Sequence, residues 1–166
     1  MLQDFEFNDY KRLTRGYLRD YRMWQNAIET WATEKSDIDS ELASIPVATS
    51  KIGGEISGGG GELNAVEREA NRRIKFTERA FIIDHDTREL RRVIKNIDTA
   101  ISTLDEESRQ LVVMHYIDGK TWMEVADALA CSESGARQKG YRAIGKIAVI
   151  LFGSKINQYT QVVLIA

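Results

Sequence analysis

Residues Thr121–Ile147 read TWMEVADALACSESGARQKGYRAIGKI, and this stretch decides the fold of the C-terminal part of the chain. Thr121 is followed three residues later by Glu124, the spacing of a capping box in which each residue satisfies an orphan amide of the other. Val125, Ala126 and Leu129 then recur at helical spacing. After Ala130 and Cys131, Ser132 supplies an N-cap, and Ala136, Tyr141 or Ala143, Ile144, Ile147 and Ile150 mark the apolar side of a longer helix. Its opposite side carries Glu133, Ser134, Arg137, Gln138 and Arg142. Two helices joined by a tight turn, the second lined with Arg, Gln and Lys, have the layout of a helix-turn-helix.

In such a unit the first turns of the second helix lie in the major groove of double-stranded DNA. There Arg137 suits bidentate pairing with guanine and Gln138 with adenine, while Glu133 suits the amino group of cytosine. Lys139, Arg142 and Lys146, with the Thr121 hydroxyl, suit phosphates, contacts that fix register and give salt-dependent affinity. A solvated face of a helical bundle has the same periodicity, so the spacing alone leaves both readings open.

From Leu104 the sequence LDEESRQLVVMHYIDGKTWMEVADALACSESGARQKGYRAIGKI resembles region four of the sigma-70 family. The Leu-Asp-Glu-Glu start, the Tyr-Ile-Asp-Gly-Lys-Thr link and the Ser-Glu-Ser-Gly-Ala-Arg-Gln run that opens the last helix carry the likeness. The resemblance implies a promoter-reading module whose base contacts are Glu133, Ser134, Arg137 and Gln138. It departs from the family at Ala130, where a turn glycine is usual, since a Cβ in a left-handed turn is penalised. Gly135, Gly140 and Gly145 are also unusual inside a helix, each costing about 1 kcal/mol relative to Ala. They either leave the helix marginal or permit close approach of another element.

The N-terminal hundred residues follow a different pattern. Tyr10, Tyr17, Trp24, Trp31, Ile38 and Ile45 recur every seven residues, with Tyr21, Ile28 and Leu42 four after members of that series. A second series runs Phe76, Ile83, Leu90, Ile97 and Leu104, supported by Ala80, Ile94 and Ile101. Each is the seam of a long amphipathic helix. The first, from about Asn8 to Ser44, is on the order of 55 Å long at 1.5 Å per residue and cannot bury its own seam. Tyr17, Tyr21, Trp24 and Trp31 serve either the core of a hairpin or a seam for a second copy or another partner. Between the two series lies GGEISGGGG, Gly53–Gly61, with six glycines in nine residues. Glu62-Leu63-Asn64 follows it in place of the Lys and Ser or Thr of a phosphate-cradling loop, so it reads as a flexible linker.

Composition narrows the classes further. The chain has 166 residues, 43% of them hydrophobic, with one Pro, a net charge of -2 and a sequence pI near 5.8. That balance is unlike a sequence-indifferent nucleic-acid binder, yet from Ser132 onward five bases face only Glu133, a local net charge of +4. One cysteine, Cys131, allows no intramolecular disulfide or zinc cluster. The N-terminus lacks the pattern of a signal peptide, and no run reaches the length of a membrane span. His85 between Asp84 and Asp86, and His115 before the capping box, lack the partners of a metal or catalytic site. The expectation is therefore a cytoplasmic, non-enzymatic protein without cofactor or metal.

These readings combine into an all-α chain: a long N-terminal helical hairpin, antiparallel and coiled-coil-like, over 1–104 with a linker near 46–62, a helix-turn-helix over 105–152 and an apolar tail from Gly153. The order is similar to that of the ArpU and RinA group of phage and prophage transcriptional regulators. That resemblance implies an activator of late or packaging genes in a bacterial host, acting on DNA with RNA polymerase, with a homodimer as one option. Two other functions fit the same parts: a compact sigma-like factor that initiates by itself, and a small terminase-like DNA-packaging subunit.

Overall fold

The computed structural model describes residues 7–45 and 60–160, with side chains over 7–45 and 67–153. Among the described residues five α-helices follow one another: α1 (Phe7–Ser44), α2 (Gly60–Ser102), α3 (Glu106–Val112), α4 (Trp122–Ala128) and α5 (Glu133–Thr160), with a π-helical turn at Val113–Ile117 between α3 and α4. No strand occurs among the described residues, and no helix among them is long and apolar enough to cross a membrane. The expected all-α fold, with a long N-terminal helix ahead of a helical domain, is what the structure shows.

Two boundaries differ from expectation. Helix α2 begins at Gly60, so Gly60 and Gly61 enter its first turn; the rest of the expected linker, 46–59, lies outside the described residues. Gly153 does not end α5, which continues to Thr160. A glycine stops a helix by adopting a left-handed conformation, and Gly153 is not among the positive-φ residues, so it costs only its propensity. Of the tail, 161–166 lie outside the described residues.

The chain divides into two compact units, residues 27–90 and residues 1–26 with 91–166, so α1 and α2 each contribute to both. In the 27–90 unit the two seams pair, with Ile38, Ile45 and Ile83 buried. Ion pairs flank them: Glu34 with Arg79 at 2.7 Å, Glu41 with Arg72 at 2.6 Å and Lys35 with Asp84 at 3.5 Å. Rising numbers on α1 meet falling numbers on α2, which makes the pair antiparallel. Hydrogen bonds from Arg79 hold the Glu34 carboxyl below its ordinary range, although exposed pairs of this kind contribute little to stability. Burial of the seam therefore does most of the stabilising.

In the other unit the core consists of Leu18, Ile97, Ala100, Ile101, Leu104, Val112, Ala143, Ile144 and Ile147. Tyr17, Tyr21 and Trp24 pack against that core, and Trp31, half-buried, belongs to the 27–90 unit. Fully buried Leu18, Ile97, Ile144 and Ile147 each contribute roughly 1.5–3 kcal/mol. Thr14 and Leu18, outside the heptad series, are as buried as any residue in it. Thr14 manages this by donating its hydroxyl to the Tyr10 carbonyl at 2.8 Å. The stripe on α1 is wider than one seam because this part of the helix meets α5 as well as α2: the Tyr10 and Phe152 rings are 5.3 Å apart. Tyr21 donates to Asp98 at 2.5 Å, and burial with that bond pushes its hydroxyl up to about 12.

Candidate nucleic-acid interface

Three short elements hold α5 in place, and each has a local cause. Asp105 caps α3 by accepting the Ser108 amide at 3.0 Å, which holds its carboxyl below the ordinary range. The π-helical turn closes with Asp118 N–H donating to the Val113 carbonyl at 2.9 Å, and Gly119 at φ +74° reverses the chain after it. The expected capping box of α4 is present. The Glu124 amide donates to Thr121 Oγ1 at 3.3 Å, and the Thr121 amide donates to Glu124 Oε2 at 2.7 Å. These bonds to Thr121 lower the Glu124 carboxyl as well.

The turn between α4 and α5 is a Schellman closure. Cys131 N–H donates to the Ala126 carbonyl at 3.0 Å and Ala130 N–H to that of Asp127 at 3.3 Å, with Ala130 at φ +50°. The departure seen at Ala130 in the sequence is thus a left-handed alanine where the geometry favours glycine. Beneath the turn, Leu111, Val125, Ala126 and Ala136 form a second buried cluster, with Cys131 half-buried against it. His115 stacks on Trp122 at 3.7 Å between ring centroids and donates from Nδ1 to the Lys120 carbonyl at 2.7 Å.

Of the α5 glycines, Gly140 has a clear spatial reason. A β-carbon there would stand 2.4 Å from Trp122 Cη2 and 3.2 Å from Leu111 Cδ2. Gly140 lets the helix close onto α3 and α4, which resolves the choice left open by the sequence in favour of close approach at this position. On the apolar side, Ala136, Ala143, Ile144 and Ile147 are buried as expected, whereas Tyr141 and Ile150 are 56% and 44% exposed. Ala148 continues the buried line in place of Ile150, because it faces Tyr10 of α1.

The expected base-contacting residues, Glu133, Ser134, Arg137 and Gln138, all lie exposed on the first two turns of α5. Arg137 is not free: its Nε donates to Glu133 Oε1 at 3.0 Å, and its guanidinium lies 6.0 Å from the Trp122 ring centroid. Trp122 thus borders the Arg137 guanidinium, a neighbour that spacing gave no sign of. Among the expected phosphate contacts, Arg142 and Lys146 are exposed, Lys139 pairs with Glu107 of α3, and the Thr121 hydroxyl donates to Glu124 at 2.7 Å. Lys139 and Thr121 must therefore exchange or share these partners to reach a phosphate. The His85 trio lies in the other unit, with Asp84 engaged by Lys35 and His85 3.1 Å from Asp86. No group of three or more potential metal ligands is arranged around a common point among the described residues.

Among curated proteins and among solved structures, nothing matches the chain. Residues 94–147 match the family model described as Sigma-70, region 4, and with the capped α4, the Schellman turn and the exposed face of α5 this supports a sigma-70-like helix-turn-helix with a DNA-binding, transcription-related role.

Proposed function

We propose that this protein is a sequence-specific transcription regulator of the phage or prophage late-gene activator type, working in the bacterial cytoplasm with host RNA polymerase and carrying no catalytic activity of its own. The observation that carries the reading is the polar face of α5, where Glu133, Ser134, Arg137 and Gln138 stand exposed on a helix seated by the Trp122–Gly140 contact. A gel-shift assay against upstream regions of the encoding genome tests it. A discrete bound site is expected, and Arg137→Ala is expected to cost about 1 to 3 kcal/mol of affinity at that site. Equal binding by variant and wild type removes Arg137 from the base-reading set.

Within the same proposal, a second copy docks on the outer face of α2. Ile74 and Phe81, 55% and 73% exposed, lie seven residues apart on that face. In an antiparallel pair of α2 helices, the register that sets Ile74 over the partner's Phe81 also sets Glu67 over the partner's Arg88, so the charges complement the apolar contact.

A further inference from the structure

We propose that a basic face of α1 is a second contact for the DNA backbone, continuing the track of the duplex away from α5. The inference rests on the DNA-reading role proposed for α5. Lys11, Arg12, Arg15, Arg19 and Arg22 follow at spacings that place all five on one side of α1, in a chain whose net charge is -2. Arg22 is committed to Asp118, to which its Nε donates at 3.0 Å. The most open members are Arg12 and Arg19, with side chains 77% and 78% exposed. Their acids, Asp9 at 3.0 Å and Asp20 at 3.3 Å, form exposed pairs of the kind that yields to a stronger anion.

Position singles out DNA as the anion. Ser134, Gln138, Tyr141 and Gly145 succeed one another along a single line of α5, by steps of four, three and four. The line starts at two of the proposed base-reading residues and ends against α1. There the Arg15 guanidinium lies 5.5 Å from the Tyr141 ring centroid, and the Lys11 side chain comes within 3.7 Å of where a Gly145 β-carbon would stand. A duplex seated on Ser134 and Gln138 thus runs toward the basic face of α1, with Arg15 as the residue that joins the two helices. From Lys11 to Arg19 the face extends about 12 Å at 1.5 Å per residue. Arg12 and Arg19, seven residues apart on that face, can reach separate phosphates.

The test compares the full chain with its Arg12→Gln/Arg19→Gln variant on two 30-base-pair duplexes, one selected by the wild type from a random pool and one scrambled. Thermal melts of both proteins establish that the variant is folded. Removing two phosphate contacts is expected to reduce the slope of log Kobs against log salt by about 1.8 on both duplexes. The preference for the selected duplex is expected to stay unchanged, because phosphate contacts carry no sequence information. An unchanged slope overturns the proposal. So does an unchanged slope accompanied by lost transcriptional activation, which assigns the face to an acidic protein partner. Arg137→Ala run alongside keeps the two readings apart: loss of preference in that variant with no slope change in the α1 variant preserves the α5 reading and removes only the α1 face.

Discussion

Ala130 holds a φ of +50° at the turn on which α5 depends. For an L-residue that conformation crowds the β-carbon against the following carbonyl, at about 1–2 kcal/mol. Glycine removes the crowding but adds freedom to the unfolded chain. Ala130→Gly is therefore expected to stabilise the fold by roughly 1 kcal/mol, the larger left-handed penalty outweighing the entropy. Urea denaturation checks it: the midpoint should rise with the slope unchanged, and a fall would mean that the methyl group makes a compensating contact. The anomaly could be read in the sequence because a turn residue is set by backbone geometry. The Trp122–Gly140 contact could not, since neither residue announces which distant surface it meets.

Among the helices, α3 carries an acid dependence at its N-terminal cap. Its cap, Asp105, ordinarily titrates near 3.8 but is held lower by the Ser108 amide, so the folded chain takes up that proton less readily than the unfolded chain. The stabilisation is thus complete above the ordinary value and disappears as the pH falls through the lowered one. Asp105→Asn retains a capping side chain without a titrating one, and its melting temperature should vary less than that of the wild type below about pH 4. Parallel pH profiles for the two proteins would remove Asp105 from the acid response. The paired seams were legible element by element, since Tyr10, Ile38, Ile45, Ile83 and Ile97 sit where a seven-residue repeat puts them and are all buried. Thr14 and Leu18 escaped that repeat because α1 packs against two helices, and the π-helical turn left no sign in residue type. The basic face of α1, five bases against one acid between Lys11 and Arg22, was masked by the net charge of -2 of the whole chain.

For the molecule as a whole, the strength of the self-association proposed above follows from the face of α2. Two side chains per copy, Ile74 and Phe81, bring on the order of 4–8 kcal/mol when their exposed 55% and 73% are buried, at roughly 1.5–3 kcal/mol for a fully exposed side chain. Association itself costs an estimated 4–15 kcal/mol, so the dimer should be weak in free solution and favoured when two copies share one duplex. Sedimentation equilibrium over a concentration series should show a monomer–dimer mixture for the wild type and monomer alone for Ile74→Glu/Phe81→Glu. An identical mass for both would remove this surface. The compact unit that contains the sigma-70-like match is discontinuous in sequence, for α1 supplies Leu18 to the core closed by Ile97, Ile144 and Ile147. Seen through inheritance, one crossover anywhere between residues 27 and 90 would separate the reading head from the side chain that plugs its core. Exchange of DNA specificity between related chains should then proceed by point changes along α5, or by replacing both ends together, and not by swapping a downstream cassette.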